Sequence, residues 1–186
     1  MPKYYALTFL PWIALAVVSD LDERAGAPVG LAAALALLVW HRRAGQHWDA
    51  LILECSTAFY MAVLSGIALA APHTAVLDYG ASLAIGWLAL TAWGTLLARR
   101  PFTEGIARRQ VPAEVAATAP FRRVNAVITL AWATGFTVTA CALATVQYLA
   151  PEDTALLIAC KVAGFALPAV FTARKSRLAT EPARTH

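Results

Sequence analysis

The residue best placed to do chemistry in this chain is Lys161, within the apolar run Ala159-Cys160-Lys161-Val162-Ala163-Gly164. An ammonium inside a membrane-spanning stretch is costly. It faces protein or water, and it marks either an ion path or a structural ion pair. Counting 1.5 Å per residue, Lys161 lies about 18 Å from Ala173, slightly past the middle of a bilayer. Its expected partner is a carboxylate at the same depth. Asp20, about 24 Å from Tyr4 on the same count, is the first candidate. Asp78, at the start of another apolar segment, is the second. The alternative is a lysine that extends its aliphatic stem toward the outer interface.

Glu54 is the other intramembrane acid, one turn into its segment. The cations expected at its depth are Arg43, Arg122 and Arg123, with Asn125 as a neutral neighbour. Such a cluster either fixes helix ends or relays a proton, and Glu54 alone does not make a relay. Glu54, Thr57, Met61 and Ser65 fall on one helical stripe, as do Asn125, Thr129, Trp132, Phe136 and Thr139. Small and hydroxyl residues on such stripes let helices pack closely in lipid. They can also line a ligand cavity.

Other chemistries find little support. His41, His47 and His73 lie at segment ends or in loops, without the facing mid-span pair that haem ligation needs. Cys55, Cys141 and Cys160 sit in apolar segments without metal-ligand spacing, and read as packing residues. No phosphate loop, HExxH motif or nucleophile elbow occurs. No cofactor or metal is expected.

These residues are positioned by six apolar segments, over 4–19, 25–40, 50–71, 78–98, 124–148 and 154–173. The chain has 186 residues, 60% hydrophobic and 14% charged, against about 25% charged in a soluble domain. The expected fold is all-α: a polytopic transmembrane helical bundle of about six helices, forming a single membrane domain over 1–186. The first two segments look short beside the ~20 residues of a spanning helix. Pro168 is expected to bend the sixth segment just beyond Gly164. Met1-Pro2-Lys3 before an apolar run has the shape of a signal peptide. Pro11 and the absence of a convincing cleavage site favour an uncleaved span.

The gaps alternate in charge. Arg42 and Arg43 follow segment two. Arg99, Arg100, Arg108, Arg109, Arg122 and Arg123 follow segment four, and Arg174, Lys175, Arg177 and Arg184 follow segment six. The other gaps are acidic or uncharged. Basic loops mark the cytosolic side, so both termini are expected there. The net charge of +4 therefore reflects membrane orientation rather than nucleic-acid binding. The expected partners are the lipid bilayer, anionic lipid headgroups, and other membrane proteins or a second copy of the chain. Trp40, Trp48 and Phe102 flank the basic side as interfacial aromatics. The Arg-rich loop 99–123 can form a short interfacial helix, with Phe102, Ile106 and Val111 toward lipid and Arg108 and Arg109 toward water, or an irregular linker.

Several short motifs occur in order: Phe9-Leu10-Pro11 with Asp20, then Arg100-Pro101-Phe102, then Asn125 to Ala133 with Trp132, then Lys161-Val162-Ala163-Gly164. This order resembles the bacterial intracellular septation protein A family of inner-membrane proteins. The loop from Pro101-Phe102-Thr103 to Val111-Pro112 also looks like that of an uncharacterised group of bacterial integral membrane proteins. The resemblance implies a protein of the bacterial inner membrane involved in cell-envelope maintenance or division. It implies no catalytic residues. Three functions are open: a non-enzymatic envelope scaffold acting through helix contacts, a small transporter or channel with a polar path near Lys161 and Asp20, and a lipid-modifying enzyme.

Overall fold

The computed structural model describes residues 9–19, 21–46, 48–71, 73–108 and 111–180, with 23, 24, 49 and 176–180 as backbone only. Among them every regular element is helical. The order is α1 (Leu10–Ser19), α2 (Glu23–Arg43), a 3-10 turn (Trp48–Ala50), α3 (Ile52–Ala70), α4 (Ala75–Asp78), α5 (Gly80–Leu97), α6 (Phe102–Arg108), α7 (Ala113–Ala116), α8 (Ala119–Leu149) and α9 (Thr154–Thr180). Five of these, α2, α3, α5, α8 and α9, are long and apolar enough to cross a membrane. The described part of α1 has 10 residues, about 15 Å against a hydrocarbon core of about 30 Å.

Segment two is not short. Its helix runs 21 residues and takes in His41, Arg42 and Arg43 as its last turn. Cations there complement the helix dipole, so charged ends that read as loop belong to the helix. Segment five likewise begins earlier. Thr118 caps α8 by accepting from the Phe121 N–H at 3.3 Å, and proline occupies the first turn. Proline's missing N–H costs nothing there. Arg122 and Arg123 therefore lie in the first turns of α8 rather than in a loop.

Two helix ends share one construction. After α2, the Gly45 N–H donates to the Arg42 carbonyl at 3.0 Å and the Gln46 N–H to the His41 carbonyl at 3.1 Å. After α5, the Arg99 N–H donates to the Leu96 carbonyl and the Arg100 N–H to the Thr95 carbonyl, both at 2.9 Å. This is the Schellman arrangement, which needs a left-handed residue just past the helix. Gly45 fills it at φ 79°, but Arg99 fills it at φ 56°. A Cβ in that conformation costs about 1–2 kcal/mol.

The chain divides into two compact units, one of residues 1–78 with 105–111, the other of 79–104 with 112–186. In the first unit α2 packs against both α1 and α3. The three meet at Gly30, where a Cβ would lie 2.9 Å from the Met61 sulfur of α3 and 3.2 Å from the Pro11 carbonyl oxygen of α1. Trp12 of α1 stacks on Tyr60 of α3 at 5.3 Å. Its indole N–H donates to the Thr57 hydroxyl at 3.1 Å.

In the second unit α8 is the central helix, flanked by α5 and α9. On the α5 side the Trp93 indole donates to Thr137 at 3.1 Å, and the Ser82 N–H donates to the Gln147 side chain at 3.3 Å. On the α9 side the Trp132 indole donates to Thr172 at 3.0 Å. Trp132, Phe136 and Phe165 form a ring cluster with centroids 5.2 to 6.3 Å apart. The backbones come close because two glycines face each other's helices. A Cβ on Gly135 would lie 2.7 Å from Pro168 Cγ, and one on Gly164 would strike the Thr139 hydroxyl and lie 2.6 Å from its methyl carbon. Helix α9 runs on through Pro168.

Two substitutions test these features. Gly164→Ala forces α9 off α8 and lowers stability by about 1–3 kcal/mol. Arg99→Gly relieves the left-handed strain and raises stability by about 1 kcal/mol. Thermal unfolding of the purified protein in detergent reads both, with opposite signs.

Candidate functional site

Hydrocarbon offers no hydrogen-bond partners, so polar side chains in spanning helices must find them within the protein. Both expected stripes are buried. On α3, Glu54, Thr57, Met61 and Ser65 are enclosed, as are Asn125, Thr129, Trp132, Phe136 and Thr139 on α8. They are packing faces.

The most developed polar cluster of the second unit lies where α5 turns into α6. Beyond the Schellman turn, the Phe102 N–H donates to the Thr95 hydroxyl at 3.3 Å, while Thr95 itself donates to the Ala92 carbonyl at 2.9 Å. The Thr103 hydroxyl donates to the Asn125 carbonyl at 2.9 Å and lies 2.7 Å from the Thr129 hydroxyl. Thr103 has one proton and gives it to the carbonyl, so Thr129 is the donor of the second bond. The Asn125 side chain turns back and donates to the Phe121 carbonyl at 2.9 Å. Thr103 and Thr129 are completely inaccessible. This clamp fixes the Pro101-Phe102-Thr103 turn onto α8. It holds structure and offers no nucleophile or base to a substrate.

The clamp corrects two expectations. Helix α6 exists, but its apolar side is not turned to lipid: Phe102 and Ile106 are buried, at 5% and 1% exposure. Thr103 holds the start of the helix inward, and at Gly105 the backbone comes so close to that of Ala50 that a Cβ would lie 3.2 Å from it. Phe102 is therefore no interfacial aromatic, whereas Trp40 and Trp48 are more than half exposed. Arg108 is exposed, and Arg109 lies outside the described residues.

In the first unit Glu54 meets a residue that the sequence reading did not pair with it. His41 Nδ1 of α2 lies 3.4 Å from Glu54 Oε1 of α3, with both side chains buried. The pair is ionic when His41 carries a proton. The sequence does contain a signal for it. Residues 41 and 54 are equally distant from the turn joining α2 and α3, so an antiparallel hairpin sets them side by side. Arg42 beside it donates to the Gln46 carbonyl at 2.6 Å and stacks over Trp48 at 4.5 Å. Thr103, the other residue missed, was visible only as part of a turn motif.

The expected cluster around Glu54 divides between the units, Glu54 in the first and Asn125, Arg122 and Arg123 in the second. Arg122 and Arg123 are exposed. Of the proposed partners of Lys161, Asp20 lies outside the described residues, and Asp78 ends α4 in the first unit. Lys161 is half-buried on α9. Within its own unit no carboxylate among the described residues lies within ion-pair distance of it. Near it, α8 and α9 border a groove of about 490 Å³ whose walls include Gly135, Val138, Cys160, Gly164 and Leu167. Lys161 is not among the residues that line it.

Among the described residues no group of three or more histidines, cysteines or acids is placed to hold a metal ion. Five apolar helices of spanning length define the class of the protein, a helical multi-pass membrane protein. No protein-family model, curated protein or solved structure matches the chain. The likeness to the septation protein A family therefore rests on the short motifs alone.

Replacing Thr103 by Val keeps its shape and removes the hydroxyl that joins α6 to α8. Stability falls by about 1–3 kcal/mol. Proteolysis of the 99–123 loop, read by gel, accelerates in the same variant.

Proposed function

We propose that this chain is a non-enzymatic, multi-pass protein of a bacterial inner membrane that supports the cell envelope by holding other membrane proteins through helix–helix contacts. One observation carries the reading. The polar side chains of the α3 and α8 stripes are buried among the chain's own helices, and the groove nearest Lys161 is walled by apolar and small residues. A transport path would need polar walls at that depth. The basic ends of α2, α5, α8 and α9 support a cytosolic location for both termini. The septation protein A-like motif order is in keeping with an envelope role.

A small transporter or channel is the second reading. It is favoured by Lys161, a half-buried ammonium in an otherwise apolar stretch of α9. Reconstitution into liposomes separates the two. The scaffold reading expects ion flux no greater than in empty vesicles, for wild type and Lys161→Met alike. It also expects a defined set of membrane proteins in crosslinked samples from native membranes. Flux that disappears in Lys161→Met overturns it.

A further inference from the structure

The hydrogen bonds of the second unit act as a depth gauge. Trp93 pairs with Thr137 and Trp132 with Thr172. Because neighbouring helices are antiparallel, Leu97 at the end of α5 lies level with Phe171 of α9. With 18 residues, α5 is about 27 Å long, close to the hydrocarbon thickness. The level of Leu97 and Phe171 is therefore one boundary of the hydrocarbon. Arg99 and Arg100 follow immediately on α5, and Arg174 and Lys175 on α9.

The groove between α8 and α9 begins at that boundary. On α9 its wall runs inward from Phe171 to Cys160, a depth of about 16 Å, which is one leaflet. Its hydroxyls are already occupied or enclosed. Thr134 donates to the Leu130 carbonyl at 2.9 Å, and Thr139 is buried. The groove thus addresses no polar solute. Arg174 and Lys175 stand three and four residues beyond Phe171 and so continue the same helical stripe past the groove's mouth. Helix α9 has Asp153 just before its other end. The charge gives the groove a direction, apolar over one leaflet and cationic at its mouth. Of the spanning helices α9 is also the least covered, with 11% of its spanning residues buried against 33% to 44% in the others.

The geometry points to a binding site for one anionic glycerophospholipid, an acyl chain lying in the α8/α9 groove and the phosphate held by Arg174 and Lys175. A transmembrane helix fits less well, since Gly135 and Gly164, which would admit it, are already filled by Pro168 and Thr139. The inference needs the chain to lie in a membrane, but it does not depend on the scaffold role.

The test uses the full chain in nanodiscs of equal phosphatidylglycerol and phosphatidylcholine, with retained lipid identified by native mass spectrometry. Wild type retains phosphatidylglycerol preferentially. The double variant Arg174→Gln/Lys175→Gln retains lipid without that preference, the ratio falling on the order of tenfold. Arg174→Lys/Lys175→Arg keeps it. Ala163→Phe, which fills the groove, releases both lipids, and Ala142→Leu does the same from the α8 wall should the first variant fail to fold. An unchanged preference in the charge-neutral variant, or undiminished retention in the filled ones, overturns the proposal. So does efficient crosslinking of a protein, rather than lipid, from a photoreactive residue at position 163. Loss of liposome-measured neutrality toward ions would sink the scaffold reading and leave this one standing.

Discussion

A tryptophan indole packed between helices has one proton to give, and the neighbouring helix must take it. That constraint organises this protein. Trp12, Trp93 and Trp132 each donate to a threonine on a neighbouring helix, at 3.0 to 3.1 Å. A threonine hydroxyl accepts on a lone pair and keeps its own proton for a second bond. Thr137 donates to the Ala133 carbonyl and Thr172 to the Pro168 carbonyl, both at 2.8 Å. Each indole–threonine bond fixes the height of one helix against the next. In lipid, where apolar burial does not distinguish neighbour from solvent, such bonds and close backbone contact select the pairing. The glycines at 30, 135 and 164 supply the second of these.

The same economy applies at the helix ends. The chain must turn quickly after α2 and α5 without leaving carbonyls bare near the bilayer. Both turns use the Schellman bonds. One has glycine for the left-handed position and the other accepts strain in Arg99. Keeping an arginine there adds a cation next to Arg100, so the site favours charge at the boundary over local relaxation. The Pro101-Phe102-Thr103 segment then folds back onto α8, and the buried Thr103–Thr129 bond secures it.

Much of this was legible in the sequence. The four-and-three spacing of Asn125, Thr129, Trp132, Phe136 and Thr139 marked the inner face of α8, because burial in a helix follows its period. Helix limits were less legible. Hydropathy stops at the first arginine, whereas α2 and α8 carry their arginines within the helix, where the dipole and the interface accept them. The inward turn of α6 could not be read, since Phe102 and Ile106 are equally suited to lipid and to protein. What decides for Phe102 is its neighbour Thr103, bonded to a hydroxyl about three turns into α8. The pairing of His41 with Glu54 followed from hairpin symmetry, a relation between helices that counting along single segments does not reveal. Asp20, the first partner expected for Lys161, lies outside the described residues.

Helix α5 has 18 residues, but the α8 it packs against has 31 and α9 has 27. With the three pinned by their tryptophans, the excess of α8 falls mostly on the basic side, where about four turns continue past the end of α5. Helix α9 leaves on the same side in the opposite chain direction. The Thr103 bonds hold the turn after α5 against this part of α8. Between its basic end and the level of Lys161, α9 passes through Pro168, which has no N–H to give the carbonyl one turn before it. The second unit therefore carries helix, rather than loop, past the end of α5 on its basic side.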